Sequence, residues 1–235
     1  MSKVIKEFSR FAHQYDKYSE IQAQVAKELV SKLTKKSFKS ILDLGCGSGA
    51  VSKNLQESKI RYESLTAFDS SEAMLDIHPN ADNIVKVCGD FNSTYFTGDL
   101  PQTQYDLLLS SSALQWSTDL DRTFSELSNL STSAYFAIFT SGTFKTLHEL
   151  AKLNSPICSA ELVEKSIEKY YSEVVFALHS YTLSFDSVRE MFRYIKKSGV
   201  SAGEKKLGFK ETKRLMESYP LDHLEFEVLF VEAKV

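Results

Sequence analysis

The sequence predicts an α/β fold: a doubly wound, mostly parallel seven-stranded sheet with an antiparallel last strand and helical lid elements. Two observations predict it. Five short apolar runs, ending near residues 44, 69, 88, 110 and 140, alternate with helical segments, the pattern of βαβ units and not of hairpins. The first three runs also carry an acid at their carboxyl ends, Asp43, Asp69 and Asp90, which is where ligands of open α/β sheets bind.

Composition narrows the class. The 235 residues suffice for one α/β domain with a sizeable core, and 43% hydrophobic with 25% charged residues is ordinary for a globular chain. A net charge of −3 offers no general attraction to nucleic acid or an anionic membrane, so neither is expected as a partner. No apolar run has membrane-spanning length, and the start MSKVIKEFSRF is too charged for a signal peptide. Cys46, Cys88 and Cys158 show no C-x-x-C spacing and the five histidines are isolated, so the expectation is a cytoplasmic chain with neither disulfide framework nor metal site. No obligate protein partner is evident. Residues 1–235 read as a single domain, with an N-terminal helical cap over 1–35, a ligand-binding core over 40–140, and a lid with the C-terminal strands over 141–235.

Taken in order, residues 3–35 carry an amphipathic helical stripe through Phe8, Phe11, Val25 and Leu29. Tyr15 and Tyr18 lie on the same stripe. With Gln14 and Gln22 nearby they could line a site, because tyrosine keeps a polar tip that wants a partner. The first strand runs through Ile41 into Gly45-Cys46-Gly47-Ser48-Gly49, so three of nine glycines fall within five residues. Such a loop lets backbone approach a ligand with no Cβ in the way. Gly45, Gly47 and Ala50 also satisfy the dinucleotide pattern G-x-G-x-x-G/A, so the glycines alone leave the ligand open. Asp43 tips the balance, since a fixed anion would repel a pyrophosphate but suits a ligand bearing an ammonium and a sulfonium.

The second strand, 63–69, ends in Asp69, twenty residues beyond Gly49, the spacing at which an acid bonds ribose hydroxyls in such folds. Ser70 follows, a serine N-cap opens the next helix, and Met74 is placed to pack on an adenine ring. After the third strand, Asp90 could accept from an adenine amino group and Phe91 could cover a ring face. The fourth strand, 105–110, delivers Ser110 and runs into Ser111-Ser112-Ala113-Leu114-Gln115-Trp116. A helix over 119–130 and a fifth strand over 134–140 complete the alternation. Beyond it the sequence predicts a helical start at Thr146, a sixth strand from His179 to Phe185, a helix from the Asp186-Ser187 cap to Lys197, and a last strand over 224–231 on an antiparallel edge. Arg189, Arg193, Lys196, Lys197, Lys205, Lys206, Lys210, Lys213 and Arg214 concentrate basic charge in 189–214, either as a solvated face or as a docking patch for an acidic partner.

The pattern D-x-G-x-G-x-G at 43–49 is similar to the first motif of S-adenosylmethionine-dependent methyltransferases. More of the chain resembles one family, the malonyl-acyl carrier protein O-methyltransferases of biotin synthesis, which are class I enzymes of the Rossmann-like methyltransferase fold. The resemblance runs through Phe8-Ser9-Arg10, Tyr15, Ile21-Gln22, the loop 42–49, Leu65 to Ser70, Met74-Leu75 and Gly89-Asp90. It continues through Ser110 to Trp116, Leu147 to Leu150, Phe192 to Gly199 and Tyr219-Pro220-Leu221. Ser111 departs from the asparagine common in relatives, and Ser48 from a proline.

The resemblance implies methyl transfer from S-adenosylmethionine to the free carboxylate of malonyl-acyl carrier protein or malonyl-coenzyme A, leaving S-adenosylhomocysteine. It implies a donor site of Tyr15, Asp43, Gly45, Cys46, Gly47, Gly49, Asp69, Ser70, Met74, Asp90, Phe91 and Ser110. Acceptor positioning would fall to Tyr15, Tyr18, Gln115 and Trp116, and carrier docking to Arg193, Lys197 and Lys213. Other readings are a different small-molecule methyltransferase, a non-catalytic methyltransferase-like subunit and a nicotinamide oxidoreductase; the last is opposed by Asp43 and the leading helix.

Overall fold

The structure is a computed structural model that describes residues 18–197 and 208–235. Seven strands form one sheet in the order β3-β2-β1-β4-β5-β7-β6. They are β1 (Ser37–Leu44), β2 (Arg61–Asp69), β3 (Ile84–Cys88), β4 (Leu107–Ser111), β5 (Ser133–Phe139), β6 (Glu173–Ser184) and β7 (His223–Lys234). β1 to β5 pair in parallel, and β7 runs antiparallel between β5 and β6.

Helices cover both faces, as a parallel sheet requires. On one face lie α1 (Glu20–Ser31), α2 (Ala50–Glu57), α7 (Val188–Lys197) and α8 (Phe209–Ser218). Their Ile21, Val25, Leu29, Val51, Met191 and Leu215 pack on Ile41, Leu109 and Phe230 of the sheet. On the other lie α4 (Leu120–Leu130) and α6 (Ala160–Ile167), with Phe124, Leu127 and Ile167 against Leu42, Leu108 and Phe136. The shorter α3 (Glu72–Ile77) follows β2 and α5 (Lys145–Ala151) follows β5. Strand alternation divides the faces, so Ile41 points to α1 while Leu42 and Leu44 point to α4. Asp43 therefore falls on the α1 face, in register with Ala67 and Leu109.

The expected alternation, the serine cap of α3 at Ser71 and the Ser187 bond at the start of α7 are all present, and Asp119, where the fourth helix was expected to begin, caps α4. Two expectations change. The last strand is antiparallel but is not an edge: Val228 to Val231 are all buried, an apolar run covered on both faces, and β7 sits inside the sheet. The edge is β6, which begins six residues earlier than expected and alternates exposed with half-buried residues. Its outer rim is wet, and that explains its weaker hydrophobic pattern. Among the described residues no helix is long and apolar enough to cross a membrane.

Candidate active site

A cavity of about 390 Å³ opens at the carboxyl ends of β1, β2, β3 and β4, roofed on one side by the start of α1. Its floor is the loop after β1. Gly45, Gly47 and Gly49 all take left-handed backbone, with φ of +74°, +50° and +88°. Each has a different neighbour. A Cβ on Gly45 would lie 2.2 Å from the Ala113 Cβ, and one on Gly49 would lie 2.4 Å from Pro79 Cδ, whereas Gly47 has nothing within 4 Å. Gly45 and Gly49 thus let the loop pack against the β4 turn and the end of α3, and Gly47 leaves room for a ligand.

The loop is wired to β2. The Gly45 and Cys46 amides donate to the Phe68 carbonyl at 2.7 and 3.0 Å. Asp69 Oδ2 accepts from the Gly47 amide and Oδ1 from the Ser71 amide, both at 2.9 Å. Burial pushes the Asp69 carboxyl above its usual range, and these amide bonds oppose the rise by favouring the anion. Behind the loop, His78 Nε2 lies 3.1 Å from Ser52 Oγ and its Nδ1 2.9 Å from the Pro79 carbonyl, a buried brace on the side Gly49 abuts.

Of the donor residues expected from the sequence, Gly45, Cys46, Gly47, Asp69, Ser70, Met74, Asp90 and Phe91 line this cavity together with Trp116. Cys46 is nearly buried, and desolvation followed by the charges of Asp43 and Asp69 drives its thiol up, so it serves as an apolar wall and not as a nucleophile. Five expected residues stand elsewhere. Gly49 caps α2 from outside the cavity. Ser110 is fully buried and donates to the Leu44 carbonyl at 2.8 Å. Gln115 turns back, its Nε2 donating to the Ser112 carbonyl at 2.7 Å. Tyr18 packs its ring on Tyr194 at 5.9 Å. Asp43 lies beneath the loop, with no surface exposed.

Asp43 also departs from the expected fixed anion. Both its oxygens lack a hydrogen-bond partner among the described residues, and burial, with the Asp69 charge second, pushes its carboxyl up to about 8. It is mainly protonated at neutral pH until a cation approaches, because an unpaired carboxylate cannot be left ionised in an apolar site. Such an orphaned pair of oxygens, beside an open Gly47 and a pre-bonded Asp69, fits a ligand carrying an ammonium or sulfonium next to a ribose. Of the remaining expected residues, Tyr15 lies outside the described residues, Arg193 and Lys213 are exposed on α7 and α8, and Lys197 ends α7. Among the described residues no group of histidines, cysteines and acids could hold a metal.

Two contributors, Asn92 and Arg122, escaped the sequence reading. Asn92 ties two loops together: its Oδ1 accepts from the Thr118 amide at 2.8 Å, and its Nδ2 donates to the Trp116 carbonyl at 3.2 Å. Arg122 Nη2 in turn donates to the Asn92 carbonyl at 2.8 Å. The clasp holds Phe91 and Trp116 in the same wall. Ser111 and Ser112, which the sequence placed just after β4, also line the cavity. An asparagine two residues after a strand-end acid is a turn signal that could have flagged Asn92.

Residues 42–134 match the model of the family described as a methyltransferase domain. Over those residues the chain is similar to that family, and its sheet has the fold of the Rossmann-like methyltransferases. It is similar to the malonyl-[acyl-carrier protein] O-methyltransferase of Priestia megaterium, 30% identical over 152 residues that cover 61% of this chain and 53% of the relative. The enzyme of the same name from Halorhodospira halophila is 26% identical over 214 residues, covering 84% of this chain and 71% of the relative. The chain thus spans about half the length of the first relative and more of the second. Among solved structures, the YcgJ protein of Bacillus subtilis superposes with a TM-score of 0.63 at 11% identity, covering 90% of this chain and 98% of that one, a likeness of fold alone.

Proposed function

We propose that this chain uses S-adenosylmethionine to esterify the free carboxylate of malonyl-acyl carrier protein, giving the methyl ester that primes pimeloyl assembly in biotin synthesis. The observation that carries the donor is the pairing of Asp69, held by the Gly47 and Ser71 amides at 2.9 Å, with Asp43 beneath the loop, whose oxygens have no partner among the described residues. Asp69 would accept from the ribose hydroxyls. Asp90 and Phe91 would take the adenine edge and face, with Met74 packed behind. Asp43, freed of its proton by the ligand's positive charge, would balance that charge from below. S-adenosylmethionine, when bound, supplies an activated methyl carbon and departs as the neutral thioether S-adenosylhomocysteine.

The residues around the cavity have a limited chemical task. A malonyl carboxylate is already ionised at neutral pH, so no general base is needed. The chain has to align the carboxylate with the methyl carbon and exclude water, which α1, Trp116 and the Asn92 clasp are placed to do. The acceptor's identity is supported by the similarity to the two relatives named above.

The carrier would dock on α7 and α8 through Arg193, Lys197 and Lys213, whose charge complements an acidic protein. Tyr194 Oη donates to the Tyr18 carbonyl at 2.9 Å, which holds α7 against the start of α1, where Ser19 and Gln22 line the cavity. The whole chain works as one domain in this reading, with 40–140 binding the donor and 141–235 facing the acceptor. Methylation would turn an anion into a neutral ester that apolar pockets accept.

Incubation with methyl-labelled donor and malonyl thioesters, on carrier protein and on coenzyme A, tests the reading. Base-labile label on the carrier-bound malonyl group is expected. Label on neither thioester would refute the acceptor, and calorimetric titration with S-adenosylhomocysteine checks the donor separately.

A further inference from the structure

The three consecutive serines at the end of β4 are used differently. Ser110 spends its hydroxyl on the Leu44 carbonyl. The Ser111 and Ser112 hydroxyls are also withdrawn from solvent, yet neither has a partner among the described residues, and both residues line the cavity. Ser112 is held at φ +60°, which a residue with a Cβ adopts only when its surroundings impose it. They do so through two bonds: the Ser112 amide donates to the Ala137 carbonyl at 2.8 Å, and its carbonyl accepts from Gln115 Nε2 at 2.7 Å. From α1, Gln22 lines the same cavity, and its carboxamide oxygen is likewise buried with no partner among the described residues. A flip of that amide presents its NH₂ instead, so the side chain can donate to an anion.

We propose that the Ser111 and Ser112 hydroxyls, with the Gln22 carboxamide, form the subsite that grips the carboxylate of the acceptor. The inference rests on the carboxyl-methylation reading above and names the residues that serve it. Position supports it. The nucleoside groups are assigned to the ends of β2 and β3, and Gly45 abuts Ala113, so the two serines flank the glycine loop on its opposite side.

Chemistry supports it further. The only cationic side chain lining the cavity among the described residues is Lys53, exposed on α2. A guanidinium or ammonium on the carboxylate would stabilise a negative charge that disappears as the ester forms, and so would favour the ground state over the transition state. Buried hydroxyl and amide donors hold and aim the anion with less of that penalty. Their hold weakens once the product is neutral, which eases release.

Ser111→Ala, Ser112→Gly and Gln22→Ala test the assignment. Calorimetry with S-adenosylhomocysteine is expected to give a Kd within about twofold of the parent for all three, while KM for the malonyl thioester rises about tenfold for each hydroxyl removed. Ser112→Gly separates function from folding: glycine prefers the local backbone, so this variant melts no lower than the parent and still loses acceptor affinity. An unchanged KM in the Ser111→Ala/Ser112→Gly double variant overturns the assignment. An equal loss of S-adenosylhomocysteine affinity also overturns it, because the serines would then serve the donor. A parent chain that methylates no malonyl thioester overturns the carboxyl-methylation reading and the subsite with it. An active parent beside indifferent variants overturns the subsite alone.

Discussion

Two loops meet across the cavity and reverse the chain in opposite ways. The loop after β1 passes through left-handed backbone at three glycines, whereas the turn after β4 does so at Ser112, which has a side chain to accommodate. In the first loop the polar groups are spent, the Gly45 and Cys46 amides on Phe68 and the Gly47 amide on Asp69. In the second, the Ser111 and Ser112 hydroxyls have no partner among the described residues. The contrast is between a finished seat that holds its shape unaided and a turn that stores strain and unsatisfied donors for a ligand to relieve. It matches the division of labour proposed here, with an invariant donor on one side and the acceptor's carboxylate on the other.

The largest effect is expected where the two loops touch. Gly45→Ala places a methyl 2.2 Å from the Ala113 Cβ at a φ that disfavours any side chain. Denaturant unfolding should show a loss of about 3 kcal/mol or more, with donor binding abolished in calorimetry. If the variant is as stable as the parent, the loops are not packed as described.

Next in size is Asp69→Ala, which removes the acceptor of two backbone amides and of the proposed ribose bonds. Donor affinity should fall on the order of a hundredfold, and the two amides left without their acceptor should lower unfolding stability by about 1–3 kcal/mol.

Asp43→Asn sharpens the account of the buried acid. The Asp43 carboxyl is raised from 3.8 to about 8 in the folded chain, so the folded state binds more protons than the unfolded one between those values. Stability of the ligand-free protein from this group is therefore fully present below pH 4 and lost as pH rises towards 8. The slope is at most about 1.4 kcal/mol per pH unit. The asparagine variant should lose most of that slope. An identical pH profile in the variant would place the titration elsewhere.

The smallest effect belongs to the exposed helices. Charge reversal at Arg193 or Lys213 should weaken carrier-protein association by roughly two- to fivefold and flatten its salt dependence, with donor affinity untouched. Unaltered kinetics for both, and for Lys197, would move the docking face elsewhere.

Much of this arrangement was legible in the residues themselves. Strand-end acids after apolar runs put Asp69 and Asp90 in the cavity wall, because a period-two pattern fixes both the strand and where it stops. The clustered glycines announced the loop for the same reason: only backbone demands explain them. What stayed hidden depends on three-dimensional surroundings. Asp43 carries the same local signature as Asp69, yet one lies beneath the loop with no donor among the described residues and the other meets two amides. Its neighbours Ala67 and Leu109 come from different strands, so no local pattern reveals its neutrality.

The Gln115 side chain, expected in the site, instead braces Ser112, and the serines it supports read as small spacers until their hydroxyls prove unpaired. Strand order was partly readable: the unbroken apolar run at 228–231 signals burial on both faces, which an edge does not need. Tyr15, expected in the site, lies outside the described residues.

The central claim is tested most directly by the mass of malonyl-acyl carrier protein before and after incubation with the chain and S-adenosylmethionine. The account predicts a gain of one methylene unit, located on the malonyl carboxylate by its loss on ester hydrolysis and absent when the carboxylate is already esterified. A carrier protein that gains no mass, or gains it at a site resistant to ester hydrolysis, would contradict the account.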